Sequence, residues 1–204
     1  AERDLQVARN FSQAAEEAGV ENIIYFGELV DPAANLSPYL RARHETGYLL
    51  RYGKVPVTEF RAGMIVGSGS ALFEMIRYLA EREPLLVCPA WFFSEAQPIA
   101  IRDVLRYLVG AADLPPEVNR SFDIGGPNVL TYSEMMQRYA NIAGLRKRVI
   151  VPVPVLTPNL SSHWVGVITP VPASIARPLV ESLRHEVICT EHDIKQYIPD
   201  PPEG

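Results

Sequence analysis

Short apolar runs alternate along this chain with longer stretches of helical periodicity, and that alternation restricts the folds open to it. Ile23-Ile24-Tyr25-Phe26 is a continuous apolar run, and such a run suits a strand buried on both faces of a parallel sheet. Ahead of it, residues 5–18 carry Val7, Phe11, Ala14 and Ala18 at helical spacing. Gly19 stands where a C-terminal cap belongs. Ser37-Pro38 then opens a helix that runs to about Arg51, with serine as cap and proline in the first turn. Val55 to Phe60 reads as a second strand. A helix follows Ser70, with Leu72, Met75, Ile76 and Leu79 on one face. Pro84 to Pro89 is a further short strand, and Asp103 caps a helix bearing Val104, Leu105, Leu108 and Ala112. Ser121 to Ile124 is a strand turned by Gly125-Gly126-Pro127. Thr131 and Glu134 form a capping-box pattern ahead of Met135, Tyr139 and Ile142, and Gly144 ends that helix. Strands alternating with helices predict an α/β domain with a mainly parallel sheet.

The balance of residues narrows the partners. With 204 residues and 48% hydrophobic content, the chain can bury a core of its own. A formal charge of -5 offers no basic field to a polyphosphate backbone, so no nucleic-acid partner is expected. Cys88 and Cys189 are too few for a disulfide framework or a cysteine zinc site, which points to a reduced, cytoplasmic setting. Ala1 to Asp4 lack the character of a secretory leader. The apolar stretch from Val149 to Val180 is interrupted by Pro152, Pro154, Pro158, Pro170, Pro172 and Pro178, so no integral membrane span is expected. That stretch reads as a covering layer or as the contact of a homo-oligomer. Membrane-surface association is the other reading, and no basic amphipathic face accompanies it. Residues 189–204 are polar, end in Pro-Asp-Pro-Pro-Glu-Gly and read as a tail or linker.

Tyr39 and Arg43 stand four apart on the second helix and therefore share a face. A fixed cation beside a tyrosine stabilises its phenolate, lowers its pKa and suits it to proton transfer. The alternative is an exposed helix pair. His44, His163, His185 and His192 show no metal-ligand spacing, so no metal is expected. Trp91, Phe92 and Phe93 are either core packing or a pocket wall.

Taken in order, these pieces form a larger pattern. The run Gly19-Val-Glu-Asn-Ile-Ile-Tyr-Phe26 precedes Tyr39-Leu-Arg-Ala-Arg43 and the strand Val55 to Arg61. Ala62-Gly-Met-Ile-Val-Gly67 follows, then Gln97-Pro-Ile-Ala-Ile-Arg-Asp103 and Phe122-Asp-Ile-Gly-Gly-Pro127. This resembles the later part of an extended or atypical short-chain dehydrogenase/reductase, of the NAD-dependent epimerase/dehydratase-like kind, over residues 1–145. The resemblance implies the second part of a Rossmann-like parallel sheet with flanking helices, spanning residues 1–188. Within it, residues 84–188 would contribute a substrate-side lobe and a C-terminal cover. It also implies NAD or NADP as cofactor and a small-molecule substrate, with Tyr39 as the acid/base and Arg43 as its charge partner. Gly27, Tyr39, Arg43, Ala62, Gly63, Met64 and Ile65 would border the cofactor. Glu28 and Gln97 would face the substrate.

The departures from that family are specific. Glu28 occupies the strand end where a serine or threonine is expected, Arg43 replaces a lysine, and Ala62 replaces a proline. The Gly-x-x-Gly-x-x-Gly loop that receives a dinucleotide pyrophosphate is lacking: Gly67-Ser-Gly69 has no third glycine, and Gly125-Gly126 follows the wrong strand. The N-terminal glycine-rich βαβ unit of the family is thus expected to be missing, and NAD(P) binding by this chain alone to be weak or absent. Two functions follow: an NAD(P)-dependent oxidoreductase or nucleoside-diphosphate-sugar epimerase-like enzyme, or a catalytically quiet dinucleotide-binding or scaffold module. A structural or membrane-peripheral role rests only on the stretch after Val149.

Overall fold

The structure is a computed structural model, and it describes residues 2–31, 36–115, 117–153, 183 and 185–199. In chain order the elements are α1 (Glu2–Glu17), β1 (Ile23–Glu28), α2 (Pro38–Arg51), β2 (Val57–Ala62) and β3 (Ile65–Val66). Next come α3 (Ala71–Arg82), β4 (Leu85–Pro89), β5 (Glu95–Ala96), β6 (Ile99–Ala100) and α4 (Ile101–Gly110). The series closes with β7 (Arg120–Asp123), β8 (Leu130–Thr131), α5 (Tyr132–Ile142) and β9 (Val149–Val153). The chain divides into two compact units. One comprises Ala1–Gly63, Ile99–Pro127 and Ile188–Gly204; the other comprises Met64–Pro98 and Asn128–Val187.

The first unit is built on a parallel sheet in the order β1-β2-β7. β1 and β2 are neighbours, joined by α2, as the strand–helix–strand order predicts. Ser37 caps α2 by accepting the Leu40 N–H at 3.2 Å, with Pro38 in the first turn. β2 is the central strand, and Val57 and Phe60 are fully buried. Phe122 of β7 packs on Phe60, with ring centroids 6.2 Å apart.

Two helices present a face other than the one their large apolar residues suggest. α1 buries Ala8 and Ala15, while Val7 and Phe11 stay exposed. α4 buries Asp103, Val104 and Tyr107 and exposes Leu105. Asp103 does not cap α4: the cap position is Ala100, which makes no side-chain hydrogen bond.

Residues 188–199 depart from the reading of a loose tail. Ile194 and Ile198 are buried, Tyr197 packs edge-on against Phe122, and Thr190 donates to the Asp123 carboxylate through both its N–H and its hydroxyl.

The second unit has its own core of Met75, Ile76, Leu79, Phe92, Met136 and their neighbours. Ser70 caps α3, and Thr131 with Glu134 closes the expected capping box at α5. Trp91 and Phe92 are buried, which places them in the core, whereas Phe93 is exposed. Val149–Val153 forms a strand parallel to β4, with Pro152 beside Cys88. The sequence reads this segment as the start of a proline-rich cover. A proline removes one ladder donor, which an edge strand tolerates. The rest of that cover, residues 154–182, lies outside the described residues. Among the described residues no helix is long and apolar enough to cross a membrane.

Candidate functional site

One stripe of α2 gathers the candidate residues. Tyr39, Arg43, Gly47 and Arg51 recur every four residues, so they lie one above another along the helix. Two carboxylates meet this stripe. Glu28 is the last residue of β1, and Glu59 lies in the middle of β2.

At the first carboxylate, the Tyr39 hydroxyl donates to Glu28 Oε1 at 2.7 Å. Arg43 Nε lies 3.9 Å from the same oxygen, and Arg43 Nη2 donates to the Phe26 carbonyl at 3.3 Å. Arg43 also approaches the Tyr25 ring, 5.8 Å from its centroid. Its Nε is buried and makes no hydrogen bond.

The expectation that the cation lowers the tyrosine pKa is not met. The Tyr39 pKa is pushed up to about 12, first by desolvation and then by its hydrogen bond to Glu28 and the charge of that carboxylate. Arg43 acts in the opposite sense and is outweighed. The physical cause is the residue at the end of β1. A carboxylate that accepts the phenol proton stabilises the neutral tyrosine and opposes phenolate formation.

Glu59 was not singled out in the sequence. It is 3% exposed and forms an ion pair with Arg51. Gly27 of β1 and Gly47 of α2 bare their backbones to it. A Cβ on Gly27 would stand 2.7 Å from Glu59 Oε1, and a Cβ on Gly47 would stand 2.7 Å from Glu59 Cδ. Both are closer than real Cβ contacts. The signal was Gly47 itself. Glycine inside a helix costs about 1 kcal/mol relative to alanine, so its place between Arg43 and Arg51 calls for a packing reason. Burial raises the Glu59 pKa, against the pull of Arg51 and Arg61.

The remaining candidates fall in different places. Ala62 ends β2 as the register partner of Glu28, and its carbonyl accepts the Leu29 N–H at 2.9 Å. Gly27 is paired with Arg61 and faces Glu59. Gly63 closes the first segment of the first unit, whereas Met64, Ile65 and Gln97 belong to the second unit. Gln97 is 7% exposed and donates its backbone N–H to the Val187 carbonyl. The structure therefore brings together Tyr39, Arg43 and Glu28 with Ala62 alongside. An open groove of about 440 Å³ is bordered by Tyr39 and Arg43, with Val7, Phe11, Ile24 and Tyr25 among its other walls. Among the described residues no cluster of histidine, cysteine and acidic side chains could hold a metal ion.

Comparison with known proteins agrees with this architecture. No protein-family model matches the chain. It is 25% identical over 169 residues to mouse (Mus musculus) mitochondrial NADH dehydrogenase (ubiquinone) 1 alpha subcomplex subunit 9, covering 79% of this chain and 42% of that protein. The chain thus spans less than half the length of that relative. Among solved structures, a nucleoside-diphosphate-sugar epimerase from Staphylococcus aureus superposes with a TM-score of 0.71 at 18% identity, over 97% of this chain and 67% of the epimerase. The triphenylmethane reductase of Citrobacter sp., solved as a complex with NADP(H), gives 0.70 at 19% identity, over 96% of this chain and 67% of the reductase. The fold is the Rossmann-like α/β fold of the NAD-dependent epimerase/dehydratase-like short-chain dehydrogenases/reductases. The segments that carry the sequence resemblance occur along it in the expected order.

Proposed function

We propose that this chain supplies the proton-transfer part of an NAD(P)-dependent epimerase- or reductase-like protein, with Tyr39 as proton donor and Arg43 as its charge partner. One observation carries the reading: the Tyr39 hydroxyl, the Glu28 carboxylate and the Arg43 guanidinium meet at the C-terminal end of β1. Open α/β sheets present their ligands at the carboxyl ends of the strands. Glu28 takes the place where a hydroxyl is expected and acts on the tyrosine, a different role from a substrate contact. With its pKa near 12, Tyr39 is protonated at neutral pH and is a donor before it is a base.

Arg43 is partly exposed and borders the groove beside Tyr39, and in this reading its guanidinium donates to a ribose hydroxyl at the nicotinamide end of a dinucleotide. Ala62 and Gly63 supply its backbone wall in this reading. The pyrophosphate end does not fit them, because the 204 residues contain no Gly-x-x-Gly-x-x-Gly loop. When bound, the dinucleotide supplies hydride chemistry. The chain's own residues hold and release the proton. A preceding glycine-rich segment completes the protein in this reading.

Two measurements test it. Calorimetry on this chain alone should show weak NADH or NADPH binding, or none. In a protein that includes the preceding segment, Tyr39→Phe should lower turnover of a carbonyl or sugar-nucleotide substrate by about 10²–10⁴-fold, the range for a general acid. Unchanged turnover would overturn the assignment. The raised Tyr39 pKa favours a second reading, a quiet dinucleotide-binding or scaffold module, and a subunit of an NADH dehydrogenase among the relatives fits it. On that reading the complete protein binds dinucleotide, shows no turnover, and Tyr39→Phe leaves binding intact.

A further inference from the structure

We infer that Arg148, at the entry to β9, is the anchor of an oxyanion site in the second unit, and that its ligand is a phosphate group. The inference does not depend on any role for Tyr39.

Arg148 is 7% exposed, and its Nε is buried without a hydrogen-bond partner. Among the described residues it forms no ion pair. Arg77 of the same unit shows the contrast, held between Glu74 at 2.6 Å and Glu81 at 3.1 Å. A guanidinium stays charged at any ordinary pH, so burial cannot be relieved by losing the proton. A buried donor without an acceptor is costly, and an anion that accepts its hydrogen bond removes that cost.

The position is also built. Gln137 of α5 uses both ends of its amide on the Arg148 backbone. Its Nε2 donates to the Arg148 carbonyl at 2.5 Å, and its Oε1 accepts the Arg148 N–H at 3.1 Å. The next residue, Val149, donates its N–H to the Pro84 carbonyl at 2.9 Å, which ties the entry of β9 to β4. The guanidinium therefore springs from a backbone fixed on both sides. Arg146 and Lys147 precede it and are exposed, which places three consecutive cations in a chain of net charge -5. The planar fork of arginine matches the oxygens of a phosphate in two parallel hydrogen bonds. The two exposed cations add attraction at longer range.

The test is a thermal unfolding titration of the whole chain with inorganic phosphate, against chloride at matched ionic strength. Wild type should show a saturable rise in melting temperature, and Arg148→Met should lose it. Arg148→Lys keeps the charge without the fork and should bind more weakly. Titration with AMP in place of inorganic phosphate separates the sources. Equal affinity assigns recognition to the phosphate alone, and tighter AMP binding adds the nucleoside. Should Arg148→Met fail to fold, phosphorus NMR of phosphate with the wild-type chain decides, since saturable line broadening is expected. No saturable binding to wild type, or an equal response in wild type and Arg148→Met, overturns the proposal.

Discussion

Glu28 and Glu59 grip the same stripe of α2 from neighbouring strands, yet they do different things. Glu59 is buried, ion-paired with Arg51 and enclosed by two bare glycine backbones. Glu28 stands at the strand end, with its side chain 32% exposed, and shares one oxygen between Tyr39 and Arg43. A carboxylate enclosed on all sides has one arrangement and fixes the helix against the sheet. A partly exposed carboxylate at a strand end is less confined. The contrast separates a buried end of α2 from a partly exposed end.

The largest effect should come from removing the anchor. Glu59→Ala leaves the mostly buried Arg51 without its counter-ion and opens a cavity in the central strand. Breaking a buried pair from one side costs about 3–5 kcal/mol. Urea unfolding measures it, and Glu28→Ala serves as the comparison. Equal losses in the two variants would erase the distinction between the two ends.

Gly47→Ala should come next. In an exposed helix this change stabilises by roughly 0.5–1 kcal/mol. Here the new methyl would fall on the Glu59 carboxylate, and overpacking of this kind costs about 1–3 kcal/mol. The sign alone is decisive, because a stabilised variant in urea unfolding would mean that the Glu59 cradle is loose.

The same contrast marks what was legible in the sequence. Some signals confined to one turn of chain were readable: the cap at Ser37 and the box at Thr131 and Glu134 form as their spacing requires, whereas Asp103 does not cap α4. The parallel pairing of β1 with β2 followed from element order and crossover handedness. Choices made by tertiary packing were not readable. In α1 the small residues Ala8 and Ala15 pack inward and Phe11 does not. β9 was hidden by Pro152, which an edge position tolerates. At the site, Tyr39 and Arg43 were found from spacing, but the direction of the tyrosine shift was not. That direction depends on Glu28, eleven residues earlier, and only the fold brings the two within 2.7 Å. Glu59 was passed over because a carboxylate in a strand reads as a solvent-facing residue.

A smaller effect concerns pH. Burial raises the Glu59 pKa above the usual value of 4.5. The native state therefore holds this proton to higher pH than the unfolded chain does. The stability contributed by the group is fully present below the unfolded pKa and is lost as pH rises through the folded one. Glu59→Gln, which cannot titrate, should flatten that decline. Urea midpoints taken upward from about pH 4.5 compare the two proteins. If wild type gains stability relative to Glu59→Gln across that window, the two arginines outweigh burial and the buried carboxylate is ionised.

The smallest change in stability and the most informative change in chemistry should come from Glu28→Gln. The amide keeps the size of the side chain and removes its charge. Both Glu28 and Arg43 are about one-third exposed, and an ion pair of that kind is worth about 0–1 kcal/mol, so unfolding should barely move. Tyr39 should respond more. Two of the causes that push its pKa to about 12 are the hydrogen bond to the Glu28 carboxylate and the charge of that carboxylate. Arg43 remains to stabilise the phenolate. The Tyr39 pKa should therefore fall toward the ordinary value of 10.0, held above it by what burial and, to a lesser degree, Tyr25 contribute. Ultraviolet titration of the phenolate measures this, and the difference against Tyr39→Phe isolates one tyrosine among the nine in the chain. A Tyr39 pKa that stays at its wild-type value in Glu28→Gln would mean that desolvation alone sets it. Glu28 would then be a bystander at the strand end.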